Sequence, residues 1–244
     1  MKGTHFKQPL EYKIEIAGES WKQGSNVQGT LEVKCHSGED ISISRLGVQL
    51  SYCTKKKLKE KDLAGISEIE SSLRSGDSTS LDFNFTLSEK CPITEKSKSL
   101  YLIYGDLDNP FDSGFLEIEV TPSKTITDFI QTFEQFFRFK LKTLKMKKNV
   151  IEAIATPPAS KDWTSIQKMS LQFSMEGDTL LVNFIFSLKK MSFDSSVEKT
   201  KDEKREVSLS IGKSEYERYG TFNQEAIQKM ISDVLEQIKV KPLL

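Results

Sequence analysis

The chain of 244 residues carries 35 Lys+Arg against 35 Asp+Glu, so its formal net charge at pH 7 is zero. That balance leaves no whole-molecule field to steer it toward nucleic acid or an anionic membrane, and a nucleic-acid-binding domain would show a basic excess. Near-zero net charge lowers colloidal repulsion, which is compatible with a homo-oligomer, and the length admits one large β unit or two modest ones.

Met1 to Leu10 lacks the apolar core of a signal peptide. No run approaches the roughly 20 apolar residues that a transmembrane helix needs. Together these predict a cytoplasmic protein with no integral membrane segment. Cysteine usage agrees: Cys35, Cys53 and Cys91 are odd in number and lack C-x-x-C spacing. Cys35 and Cys53 fall in strand patterns as small hydrophobes, and the sequence does not decide whether any two cysteines pair.

Apolar residues alternate with polar ones at Leu10, Tyr12, Ile14 and Ile16, then at Val27, Gly29, Leu31, Val33 and Cys35. The same holds for Leu46, Val48, Leu50 and Tyr52, and for Leu81, Phe83, Phe85 and Leu87. Period-2 runs place one strand face in a core and the other in water. Gly18–Ser25 and His36–Asp40 read as the turns between the first strands. The apolar phase slips between Ile43 and Leu46, which predicts a bulge. Lys55–Asp62 reads as a solvated hairpin tip. A further strand takes either the Leu100/Leu102 phase or the Tyr101/Ile103 phase, and Phe115–Val120 is stopped by Pro122.

The period then changes. Ile126, Phe129, Ile130, Phe133, Phe136 and Phe137 share one helical face, with Ser123 or Thr125 as N-cap. The polar face (Thr127, Asp128, Gln131, Glu134, Gln135) lacks the Lys/Arg of a membrane-surface helix, so the stripe is expected to pack in a core. Strands resume at Phe139–Met146, Val150–Ala155, Gln167–Met175 and Thr179–Leu188, the last two joined by the turn Met175–Asp178. Thr156-Pro157-Pro158 breaks regular structure. Ser192–Glu206 is charged and aperiodic and reads as a flexible loop before a short strand at Val207, Leu209 and Ile211. A closing helix carries Ile227, Met230, Ile231, Val234, Leu235 and Ile238, with Thr221 and Gln224 at capping-box spacing. Its apolar face either docks on its own body or meets a partner, and docking is favoured because an uncovered apolar stripe is a liability.

The chain thus divides into an N-terminal β lobe over 1–121, a connecting helix over 122–138, a C-terminal β lobe over 139–212 with the loop 192–206, and a helical tail over 213–244.

Chemistry is sparse. His5 lies in a stretch read as mobile, and His36 neighbours Cys35 on a strand, where adjacent side chains point to opposite faces. No G-x-S-x-G, P-loop, G-x-G-x-x-G or H-E-x-x-H occurs, so neither catalysis nor a cofactor is expected. Asp106, Asp108 and Asp112 are weak metal candidates: an EF-hand loop begun at Asp106 puts Glu117 at its last position, but Pro110 and Phe111 occupy places that need a ligand and a glycine. An acidic turn is the simpler reading. Asn84-Phe85-Thr86 matches a glycosylation acceptor by chance within a strand. Two lysine clusters, Lys55, Lys56, Lys57, Lys59 and Lys61, and Lys140, Lys142, Lys145, Lys147 and Lys148, are first of all solvated strand faces. Their sharper reading is a surface for an acidic or phosphate-bearing partner. The candidate partner-binding set is therefore Lys55, Lys56, Lys57, Lys59 and Lys61 with Ile227, Met230, Ile231 and Val234.

Tyr12-Lys13-Ile14, then Trp21-Lys22-Gln23 and Gly24-Ser25-Asn26-Val27-Gln28-Gly29 before Leu31, resembles the opening of arrestin-like domains. Thr121-Pro122-Ser123 into a helix, Arg138-Phe139-Lys140-Leu141-Lys142, Glu152-Ala153, Trp163 and Leu171-Gln172-Phe173 before the strand Leu180–Leu188 resemble the bacterial sporulation-control protein family. The resemblance spans residues 10–190 and not the tail. It implies a mainly β protein of two arrestin-like sandwich lobes with an inter-lobe amphipathic helix and a C-terminal helix. It also implies a non-catalytic adaptor or regulator whose partners are other proteins, with no catalytic residue to transfer. Strand addition at sheet edges and grooves between lobes are the expected modes of binding. The alternative is a small-ligand or carbohydrate-binding sandwich, which requires Trp21 and Trp163 to stack outward beside one cleft. A Ca²⁺-dependent enzyme at Asp106–Asp112 is a third.

Overall fold

Alternation becomes sheet throughout the first half of the chain. The computed structural model describes residues 1–54, 63–74, 76–109, 112–194 and 197–238, and the chain divides into two units, Met1–Thr121 and Pro122–Leu244. The first holds β1 (Lys2–Lys7), β2 (Leu10–Ile16), β3 (Ser20–Lys22), β4 (Asn26–Cys35), β5 (Ile41–Thr54), β6 (Leu63–Leu73), β7 (Ser78–Thr86), β8 (Lys98–Asp106) and β9 (Gly114–Thr121). One sheet runs β1-β2-β4-β7 and the other β3-β9-β8-β5-β6, with β3 parallel to β9. Tyr12, Ile14, Val27, Leu31 and Val33 from one sheet meet Leu46, Val48, Leu50, Leu100, Leu102 and Ile118 from the other in a single buried core. The β5–β6 register shifts between Ile43 and Leu46, where the apolar phase slips. Along β8, Leu100, Leu102 and Tyr104 belong to this core, and Ile103 on the opposite face is buried as well.

The motif from Gly24 to Gly29 has a physical basis. Gly24 turns the chain at φ +81°, a region L side chains avoid, and a Cβ on Gly29 would stand 2.2 Å from the Glu15 carbonyl oxygen. Two elements depart from expectation. The stretch around His5, read as mobile, is β1, paired with β2 from Lys2↔Glu15 to Lys7↔Leu10. It lacks an apolar alternation because Gly3 faces the Tyr104 hydroxyl, 2.8 Å from where its Cβ would be. The Gly18–Ser25 turn contains β3, whose Trp21 is buried.

The second unit holds α1 (Lys124–Phe137), β10 (Lys140–Lys147), β11 (Val150–Thr156), β12 (Ile166–Glu176), β13 (Thr179–Asp194), β14 (Val197–Ile211), α2 (Lys213–Tyr216), β15 (Glu217–Arg218), β16 (Thr221–Phe222) and α3 (Gln224–Ile238). β10 to β14 form one antiparallel meander in sequence order. One of its faces, with Ala153, Leu171, Phe173, Val182, Phe184 and Phe186, is buried. Phe129 of α1 stands edge-on to Phe173 at 5.4 Å, and Phe133 meets Phe139 at 4.7 Å. The helix ends at Arg138 in the left-handed conformation. Phe136, expected on the buried face, is 47% exposed: it lies in the last turn of α1, beyond the buried residues Ile126, Phe129, Ile130, Thr132 and Phe133.

Further differences are local. Ser123 is the N-cap of α1 but makes no side-chain capping bond. The α3 cap is Asn223, whose Oδ1 accepts the Ala226 N–H at 3.4 Å, while Thr221 donates to the Arg218 carbonyl. The supposed flexible loop 192–206 is, apart from 195–196, the outer part of the β13–β14 hairpin, paired out to Asp194↔Val197. A main-chain ladder needs no apolar pattern. Opposite charges also alternate along β14, with Arg205–Glu203 and Lys204–Glu206 pairs both at 2.8 Å.

Candidate functional site

Lys55, Lys56, Lys57, Lys59 and Lys61 lie outside the described residues. Ile227, Ile231 and Val234 are buried in the second unit, Met230 is half-buried, and α3 lies against α1. The apolar face offered as a partner surface is therefore taken up by the unit's own core. Trp21 is buried, and Trp163 stands edge-on to Phe139 at 5.7 Å, so the pair of outward-stacking rings that a sugar site requires is not formed. No disulfide joins Cys35, Cys53 and Cys91, all three are buried, and burial pushes the Cys91 thiol up to about 11.

The acidic turn after β8 is an ion-pair lock. Lys7 Nζ lies 3.0 Å from Asp112 Oδ2 and 3.6 Å from Asp106 Oδ2, and Arg45 Nη1 approaches Asp108 at 3.5 Å. Asp106 accepts hydrogen bonds from the Asp108 N–H and from Asn109 Nδ2, as an Asx turn does. Burial raises the Asp106 pKa, but the Asn109 and Asp108 hydrogen bonds and the Lys7 charge outweigh it and hold the carboxyl below its usual range. Lys7 is held above its ordinary value by its hydrogen bond to Asp112, against a smaller effect of burial. His5 stacks on Tyr12, whose pKa burial pushes up to about 12. Among the described residues no group of three or more His, Cys, Asp or Glu is arranged to hold a metal. The cluster pins β1 to the β8–β9 connection.

Among the described residues, the strands at the ends of the sheets are where main-chain bonding capacity is left over. An edge strand presents unpaired N–H and C=O groups, and proteins blunt such edges with Lys, Pro, bulges or short length. β10 is blunted by Lys140, Lys142, Lys145 and Lys147, all exposed, and by a register shift between Leu141 and Thr143. β14 carries the alternating charges described above. β3 has three residues. β7 has none of these guards. Its nine residues, Ser-Thr-Ser-Leu-Asp-Phe-Asn-Phe-Thr, contain no Lys, Arg or Pro and pair with β4 without a register shift. Among the described residues, no strand pairs with its other side. The periodicity of Leu81, Phe83 and Phe85 marks a strand, but nothing in the sequence marks an edge.

Two units of largely antiparallel sheet, the second unit's sheet with its apolar face buried beside amphipathic helices, make a mainly β, arrestin-like fold. Among solved structures, the sporulation control protein Spo0M from Bacillus subtilis matches 95% of this chain and 99% of its own, at 17% identity and a TM-score of 0.66. The chain has the Spo0M fold. Coverage that high also takes in most of the tail after Met191, where the sequence resemblance ended. A β-glucosidase from Listeria innocua in complex with gluconolactone matches 47% of this chain and 16% of its own, at 14% identity and a TM-score of 0.31. A PapD-like domain of human CEP192 matches 45% of this chain and 83% of its own, at 13% identity and a TM-score of 0.17. At those scores neither bears on function. No family model matches the chain, and no curated protein does.

Proposed function

We propose that this chain is a non-catalytic, cytoplasmic, bacterial adaptor or regulator of the sporulation-control kind, which works by binding other proteins. The observation that carries this reading is the β7 edge: nine residues of regular strand, unblunted, in a chain that blunts β10 with lysines. The Spo0M fold supports a regulatory role. The competing carbohydrate reading loses its support with Trp21 in the core.

The test is affinity capture from the parent cytosol by the immobilised full chain. A protein captured saturably and displaced by the free chain is the expected result. Capture of none, together with a thermal shift on adding a sugar or metabolite, would transfer the chain to the ligand-binding class.

A further inference from the structure

We infer that the open side of β7 binds an extended segment of a partner protein as an added strand, with apolar residues at alternate positions and a Lys or Arg opposite Asp82. This rests on the interaction reading above and names its docking edge.

Main-chain accounting carries the argument. In an antiparallel pair, residues whose N–H and C=O face the neighbouring strand alternate with residues whose groups face away. Beyond one end of β7 the Leu87 N–H donates to the Ser25 carbonyl at 2.8 Å, and beyond the other the Cys35 N–H donates to the Asp77 carbonyl at 2.9 Å. Both bonds set the same phase. With Val27↔Phe85, Gly29↔Phe83, Leu31↔Leu81 and Val33↔Thr79 in register, the odd-numbered residues of β7 bond to β4. Ser78, Ser80, Asp82, Asn84 and Thr86 therefore turn their main-chain groups outward.

The side chains define what fits there. An added strand sets its inner residues beside Leu81, Phe83 and Phe85, which border the core, so these positions favour apolar groups. Its outer residues lie beside exposed Ser80, Asp82 and Asn84. Asp82 is the charged side chain of β7, and Glu32 on β4 sits diagonal to it, since Thr30 is opposite Asp82 and Glu32 opposite Ser80. Lys13 on β2, opposite Glu32, offsets that second carboxylate, so the selection of a basic residue rests on Asp82 itself. A second copy of the chain is a poor occupant. Two-fold pairing centred on the strand would set Asp82 against Asp82, and like charges directly opposite destabilise a pair.

The probe is a fluorescein-labelled peptide, Thr-Val-Thr-Val-Lys-Val-Thr-Val-Thr, titrated with the full chain and read by anisotropy. A matched peptide with Glu in place of Lys is its control. Saturable binding of the Lys peptide is expected, with weaker binding of the Glu peptide. Ser80→Pro with Asn84→Pro removes two outward N–H groups and no bond to β4, and a Pro whose N–H would face solvent is tolerated at an edge. The double variant should weaken the Lys peptide at least about tenfold, the scale of two lost main-chain hydrogen bonds. Asn84→Pro alone replaces it if the double variant does not fold. Asp82→Lys should reverse the preference between the peptides.

No saturable binding, or binding that survives in the folded proline variants, overturns the inference. A dimer abolished by the proline substitutions, without peptide binding, would give the edge to a second copy and overturn it equally. If the peptide fails while a cytosolic partner is still captured, the docking edge is wrong and the interaction reading stands. If both fail, both are wrong.

Discussion

Gly29→Ala isolates the closest approach in the first unit. Gly29 lies on β4 between Ile16 of β2 and Phe83 of β7. An added Cβ would stand 2.2 Å from the Glu15 carbonyl oxygen, 2.7 Å from Ile16 Cγ2 and 2.9 Å from Phe83 Cζ. Two effects oppose each other. Alanine reduces the freedom of the unfolded chain, which by itself stabilises by about 0.4–1 kcal/mol. Overpacking a filled site costs about 1–3 kcal/mol, occasionally more. The contact should win, because the nearest atom is main chain and is held in the ladder by the Glu15↔Thr30 pairing. A carbonyl in a ladder cannot rotate aside as a side chain does, so β2 and β4 would have to separate. The expected net loss is about 2 kcal/mol. Gly38→Ala is the control: nothing lies within 4 Å of that position, so stability should hold or rise slightly. Urea unfolding read by Trp21 fluorescence, in a Trp163→Phe background, reports on the first unit alone. A lower midpoint with an unchanged slope is expected. If Gly29→Ala is as stable as its parent, the close approach of the strands at this glycine is wrong.

Phe129→Ala should cost about 3–5 kcal/mol, since the ring is fully buried and edge-on to Phe173; a loss under about 1 kcal/mol in urea unfolding of the second unit, followed by Trp163, would contradict its place in that core. Asp106 should confer a pH-dependent stability. Its folded pKa lies below the usual range, so its contribution is fully present above the unfolded value of about 4 and is lost as pH falls through the lower folded value. The difference in urea midpoint between parent and Asp106→Asn should therefore favour the parent near neutrality and shrink in acid, and a constant difference would show that the Lys7 and Asn109 contacts do not stabilise the carboxylate.

What was legible in the sequence follows from where side chains alone specify structure. Leu10–Ile16 and Asn26–Cys35 alternate because both strands put every second residue into one core. Gly177, at φ +56°, sits in the Met175–Asp178 turn where a glycine was expected. The Lys148-Asn149 turn gave no such sign, because two non-glycine residues hold positive φ there. β1 was hidden because its inward positions are Gly3, His5 and Lys7, chosen for Tyr104, Tyr12 and Asp112 rather than for apolarity. β14 was hidden because charges line it. The docking edge was hidden for a different reason: β4 and β7 show the same periodicity, and only the order of strands in the sheet makes one central and the other an edge. Strand order depends on contacts between residues distant in sequence, which no local pattern encodes. The apolar stripe of α3 was legible as a stripe, and its docking follows from the same liability that makes exposed stripes rare.

The contrast between β10 and β7 has a consequence for Asp82. Both strands end their sheets, yet β10 carries exposed lysines and β7 a single charge at its centre. Lysines along an edge disfavour pairing with a basic strand, a neutral strand that would have to desolvate them, or a second copy of themselves. One central carboxylate repels a second copy, where it would meet itself, and leaves the edge open to a strand that brings a basic residue. Neutralising it should therefore convert a selective edge into a self-pairing one. Asp82→Asn keeps an oxygen able to accept the Thr30 hydroxyl, which now donates to Asp82 at 2.7 Å, so the fold should be undisturbed. Sedimentation velocity across a tenfold range of concentration should show the variant associating more strongly than its parent. Adding Ser80→Pro to the variant should return it to parental behaviour, because the self-paired strand would lose an outward donor. Equal association of parent and Asp82→Asn would mean that the charge does not guard this edge, and the selectivity assigned to it would fall.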